Sequence, residues 1–168
     1  MDYCKREKRN LPYIGEYRRF ERMGEEMNQL FNTVFENSLR ILILLDVMQK
    51  PQDIDMIHII DFMIIYGKVF RITAVNLNGD NALKFSEFIS RRSLVKKVLK
   101  QLVLDEPVKC VDFLYSITPE GKRYCHSLTS DYAKQYRLSA EKAVTATDKK
   151  DTFMLFSEIN KFSRNERK

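Results

Sequence analysis

Turn-forming residues are scarce: five Gly and four Pro in 168 residues. A β-rich fold needs many tight turns, so this scarcity points toward helices. Cysteine is scarce too. Cys4, Cys110 and Cys125 are odd in number and have no paired spacing, which excludes a disulfide framework and fits a reduced, cytoplasmic setting. Two histidines, His58 and His126, with no CxxC or HxxxH, do not make a zinc site, and no cofactor is expected. Long apolar runs are also missing. ILILL at 41–45 is short, and Ile54–Tyr66 is interrupted by Asp55, His58 and Asp61. Neither reaches the roughly 20 residues of a membrane helix. The first twenty residues have a charged start and no apolar core, so they do not read as a signal peptide. GxxxxGK[ST], GxGxxG and GxSxG are all absent, which removes support for phosphate-loop and nucleophile-elbow enzymes. The run LNGDN at 77–81 lacks the ligand ladder of a calcium loop and reads as a tight Asn-Gly turn. The chain is expected not to be an enzyme.

What is present is an ordinary apolar content of 44% and a formal charge of +6. The charge is unevenly placed. Residues 1–90 hold 12 Lys/Arg against 13 Asp/Glu, whereas 91–126 hold 8 against 4 and 161–168 hold 4 against 1. The excess is a central segment and a tail. Such charge fits an acidic partner without naming one.

Three regions follow from the pattern: an N-terminal arm at 1–29, a central domain at 30–146, and a C-terminal helix with a basic tail at 147–168. The arm is polar at first, then rich in Tyr, Arg and Glu, and is a candidate docking segment. The aromatics at 13, 17, 20, 31 and 35 read as core or interface groups. From Leu30, apolar residues at 30, 31, 34, 35, 39, 42 and 45 mark a helix, thickened by ILILL and therefore central, that stops near Lys50 before Pro51. Asp53 is placed to cap a second helix that ends by Gly67. Val69–Val75 is β-branched and reads as a strand or an extended connection; Ser86 or Ser90 is expected to cap the helix after it.

Residues 91–104, RRSLVKKVLKQLVL, place Leu94, Val95, Val98, Leu99 and Leu102 on one face. The opposite face carries Arg91, Arg92, Lys96, Lys97 and Lys100, with no acid among them. Val108–Cys110 and Phe113–Ile117 then read as two short strands, with Phe113, Tyr115 and Ile117 alternating. Thr118-Pro119-Glu120 is a helix start, with Thr as N-cap, Pro at the first position and Glu in the first turn. Helices are expected over 119–129 and 131–146, and over 151–162 on the spacing of Phe153, Phe156, Ile159 and Asn160. The last residues are expected to fray.

This order gives the fold class: mainly α with a small β-hairpin, a winged-helix-like domain with extra N- and C-terminal helices. The run Tyr115–Gly121 resembles the wing-to-last-helix junction of winged-helix domains such as the multiple-antibiotic-resistance regulators, where the strand leads into an LTxxG helix start. Two readings of the basic face follow. In one, Arg91, Arg92, Lys96, Lys97 and Lys100 meet phosphate, with Lys109, Lys122 and Arg123 near the wing; in the other the face is only solvated. With at most one Gln and no Asn on that face, rich base readout is not expected. Asp46 and Asp55 read as surface or capping groups. Asp61, inside an apolar run, suits a buried ion pair, and His58 reads as a satisfied or surface histidine. Cys110 and Cys125 read as small buried hydrophobes.

The helix NSLRILILLDVM, Pro51, the Ile54-Asp55 start and Ile60-Asp61-Phe62 before Tyr66-Gly67 together resemble the middle component of bacterial ABC-three-component systems. RRSLVKKVL, YSITPEGKRYCHSL and Ser130-Asp131-Tyr132 continue the likeness, which spans about 35–145. The resemblance implies a non-catalytic accessory subunit of the Lamassu anti-phage and anti-plasmid defence type. It would bind an SMC/Rad50-like ATPase and link it to a nuclease effector; contact with double-stranded DNA is the expectation that the basic face adds. It brings no catalytic residues to map. The rival from another class is a free-standing winged-helix transcription regulator, which predicts a homodimer on a palindromic duplex.

Overall fold

The computed structural model describes residues 33–166. The arm at 1–29, with Cys4 and the aromatics at 13, 17 and 20, lies outside the described residues, as do Phe31 and 167–168.

Helix α1 (Val34–Met48) starts where the Thr33 hydroxyl accepts the Glu36 amide at 3.1 Å, and ends at Gln49 in the left-handed region. Ile41 to Leu45 are five successive residues, each no more than 2% exposed. Five in a row cover every side of a helix, so α1 is surrounded rather than laid on a surface. It packs against the helices at Ile54–Ile65, Lys84–Leu104, Pro119–His126 and Asp131–Thr147 and against the strand Leu114–Ile117. Helix α2 (Ile54–Ile65) is capped as the sequence predicts, with the Asp53 carboxylate accepting the Met56 amide at 2.8 Å. Residues 57–65 are all buried.

The segment after Gly67 is neither strand nor extended, but a series of turns. Phe70 turns inward and meets Phe62 and Phe162, so burial of one aromatic wins over β propensity. Helix α3 (Lys84–Leu104) starts earlier than expected and without a side-chain cap. Neither Ser86 nor Ser90 caps it; the Ser90 hydroxyl donates to the Glu87 carbonyl. The Asn81 side chain accepts the Leu83 amide instead.

Strands β1 (Val108–Val111) and β2 (Leu114–Ile117) pair antiparallel, from Val108 opposite Ile117 to Val111 opposite Leu114. Phe113 belongs to the turn, not to the strand, which shifts it off the expected alternation with Tyr115 and Ile117. On the other edge of β2, Gln52 pairs with Tyr115 through two backbone hydrogen bonds of 2.9 and 2.8 Å. The link between α1 and α2 therefore adds a third, one-residue rung to the hairpin, an arrangement compatible with a winged helix.

Helix α4 (Pro119–His126) has Thr118 as N-cap and Pro119 in its first turn. Helix α5 (Asp131–Thr147), capped by Ser130, crosses α1 and α2. Helix α6 (Thr152–Glu166) returns onto α2 and runs on through residues expected to fray. Its inner face is Leu155 and Ile159, with Phe156 edge-on to Phe88; Phe153 is 80% exposed, contrary to its expected place on the apolar face. The fold is mainly helical, six helices and one hairpin among the described residues. No helix among them is long and apolar enough to cross a membrane.

Candidate functional site

Two ionic clusters, one buried and one partly exposed, hold the frame on which the basic face sits. In the first, Asp61 of α2 is fully buried and receives three donors. Arg40 Nε of α1 is 3.2 Å from Oδ1, Arg91 Nη2 of α3 is 3.3 Å from Oδ2, and the Tyr136 hydroxyl of α5 donates to Oδ1 at 2.7 Å. Arg40 also reaches Glu36 at 2.9 Å and Asn37 one turn back. Four helices thus meet on one carboxylate. Burial alone would raise the Asp61 pKa, but the two guanidiniums and the Tyr136 hydroxyl outweigh it and hold the carboxylate below its usual range. Burial works against the Arg40 charge, but Asp61, Tyr132, Tyr136 and Glu36 together outweigh it and hold the guanidinium charged. Burial and the Asp61 charge push the Tyr136 hydroxyl well up. The second cluster joins α1, α4 and α5. Asp46 Oδ2 is 2.9 Å from both Arg137 Nη1 and His126 Nε2, and Arg137 Nη2 donates to the Cys125 sulfur at 3.0 Å. Burial pushes the Cys125 thiol up to about 12, against the lowering effect of Arg137.

These clusters revise several expectations. Asp46 is no surface carboxylate; it is 6% exposed and paired. Arg91 leaves the basic face altogether and points inward to Asp61. The physical reason is helical phase: α3 packs on α1 and α2, and Arg91 lies one turn before the buried Val95. Arg92 stays outside but is held bidentate by Asp55, at 2.5 and 3.2 Å. That hydrogen-bonded contact lowers the Asp55 pKa and raises that of Arg92. Sequence reasoning missed this pair, because its two members are 37 residues apart. His58 is 1% exposed, stacked on Phe88 at 4.5 Å between ring centroids, and burial lowers its pKa to about 4. Cys125 is buried as expected, while Cys110 is half-buried.

What remains of the basic set is a smaller surface. Lys96, Lys97 and Lys100 are exposed on α3 and form no ion pair among the described residues. Lys109 is exposed on β1, the strand that packs against α3. Lys122 and Arg123 are exposed on α4, whose packing partner is α1. The structure thus keeps the three lysines together, adds Lys109 through the strand, and carries Lys122 and Arg123 on a separate helix. A row of unpaired ammonium groups can meet phosphate without a desolvation penalty from existing partners; Arg92 would first have to leave Asp55.

The tip of the hairpin was not singled out from sequence. Phe113 is 86% exposed, Val111 61% and Leu114 41%. Among the described residues no group of three or more His, Cys, Asp or Glu is arranged to hold a metal.

Comparison with curated proteins and with solved structures gave no match. The family described as ABC-three component (ABC-3C) system Middle Component 2 matches residues 30–167, which takes in every helix and the hairpin described above. The chain therefore belongs to the Middle Component 2 family of ABC-three-component systems.

Proposed function

We propose that this protein is a non-catalytic accessory subunit of a cytoplasmic defence complex of the Lamassu type. It binds an SMC/Rad50-like ATPase, links it to a nuclease effector, and contacts double-stranded DNA through α3. The observation that carries this reading is the family match over 30–167, because a middle component of a multi-component system works through protein partners. The exposed lysines Lys96, Lys97 and Lys100 support the DNA contact: they offer phosphate three cations with no ion pair among the described residues, and little base readout. Gln52 pairing on the hairpin supports a winged-helix frame for that helix.

The direct test is co-expression with a candidate SMC/Rad50-like ATPase from the same host, followed by size-exclusion chromatography with light scattering. A stable complex is expected. A homodimer that ignores the ATPase and binds one palindromic duplex would replace this reading with a free-standing transcription regulator.

A further inference from the structure

The tip of the β1–β2 hairpin is built at a cost. Its two-residue turn, Asp112-Phe113, has φ of 50° and 62°, both in the left-handed region. Positive φ at both positions is the type I′ turn, which suits the twist of a hairpin and is ordinarily made by Asn-Gly. Asp tolerates this region, but a phenylalanine there is an outlier. Nothing among the described residues repays it, since Phe113 is 86% exposed. The flanking Val111 and Leu114 are cross-strand partners and share one face, so three apolar side chains stand together at the tip.

We propose that this tip is an apolar plug that inserts into a protein partner, a subunit of the same assembly with an apolar pocket and a basic rim. The proposal rests on the accessory-subunit reading above. Charge selects protein over DNA. The tip's only charge is Asp112, which phosphate repels and a rim cation attracts. The exposed lysines lie elsewhere, on α3 and at Lys109, three positions before Asp112. A rigid turn that presents one aromatic side chain is preorganised in the manner of an interface anchor. The molecule thus divides its contacts: lysines of α3 for phosphate, the wing tip for protein.

The test uses the full chain co-expressed with its ATPase and effector components. Phe113→Gly removes the ring and relieves the backbone, so its thermal midpoint stays level or rises; Phe113→Asn, also tolerant of this φ, is the second variant. Both weaken the complex about tenfold or more, in affinity for whichever component carries the pocket. Both leave affinity for a short random-sequence duplex unchanged. A wild-type complex that either variant matches in affinity would overturn the plug and leave the accessory-subunit reading standing. Loss of duplex affinity with an intact protein complex would make the tip a DNA wedge and overturn the plug. Absence of any wild-type complex would bring down both readings together.

Discussion

At Asp61 one carboxylate compensates two buried arginines and accepts a tyrosine hydroxyl. Removing one partner of a buried pair leaves an uncompensated charge, so Asp61→Ala is expected to cost about 3–5 kcal/mol. Against a total of about 5–15 kcal/mol for a domain, that loss brings the fold close to unfolding. Arg91→Met should cost less, because Arg40 and Tyr136 still satisfy the carboxylate. Urea denaturation of both variants checks the ranking; an equal loss would mean that Arg91 matters as much as all the rest. His58 gives a pH signature with a definite sign. Its pKa falls from 6.5 to about 4 on folding, so between those values the unfolded chain binds the proton and the folded chain does not. Stability therefore falls as pH drops through that window, by about 1.4 kcal/mol per unit at most and about 3 kcal/mol in all. His58→Phe, which preserves a ring against Phe88, should flatten the profile there. Asp61 acts lower: its pKa is depressed, so its contribution is present above the ordinary 3.8 and is lost as pH falls through the folded value. The two windows separate in a denaturation series from pH 7 to below 4.

Among the elements, the junction between β2 and α4 shows what local sequence can specify. Thr118 accepts the Gly121 amide at 3.1 Å, and its hydroxyl lies 2.9 Å from the Glu106 carbonyl oxygen and 3.0 Å from that of Pro107. A Cβ on Gly121 would stand 2.1 Å from the Pro107 carbonyl oxygen, which is backbone and has little room to yield. Thr118→Ala should cost about 1 kcal/mol as a lost cap. Gly121→Ala should cost about 3 kcal/mol, since the first turn of α4 must lift off the chain entering β1. Thermal denaturation that ranks Thr118→Ala as the worse variant would contradict this account. Thr, Pro, Glu and Gly are four neighbours in sequence, so the start of α4 was legible, as was the Asp53 cap of α2. The central place of α1 was legible too, because ILILL covers all sides of a helix. The ion pairs were not. Arg40 and Asp61 are 21 residues apart and Arg91 and Asp61 are 30 apart, and only packing brings them together. The one trace in sequence is that Arg40 and Asp61 each interrupt an apolar run. Arg91 is a different case: it lies four residues before Val95, so helical spacing alone places it on the apolar face, and its charge masked that phase.

Over the whole molecule, the formal charge of +6 resolves into cations that are already engaged and cations that are open. Arg40, Arg91 and Arg137 serve the frame, and Arg92 is tied to Asp55. Lys96, Lys97 and Lys100 remain on one exposed face, with Lys109 on the adjoining strand. Each cation that meets a phosphate releases counterions and adds about 0.9 to the slope of log affinity against log salt concentration. The triple change Lys96→Gln, Lys97→Gln and Lys100→Gln should therefore lower that slope by about 3 if all three meet the duplex. Arg92→Gln should change it little, because Asp55 already neutralises the guanidinium. Asp55→Asn should do the opposite: it frees Arg92 and steepens the slope by up to about 1. Fluorescence anisotropy with a random-sequence duplex over a range of salt measures all three. The set is diagnostic because each variant changes net charge, yet only the position of the charge sets the expected order. A slope that simply follows net charge, so that Arg92→Gln costs as much as each lysine, would mean long-range attraction without a defined face. A slope unchanged in the triple variant would leave α3 a solvated helix, and the duplex contact would have to be sought on α4, at Lys122 and Arg123.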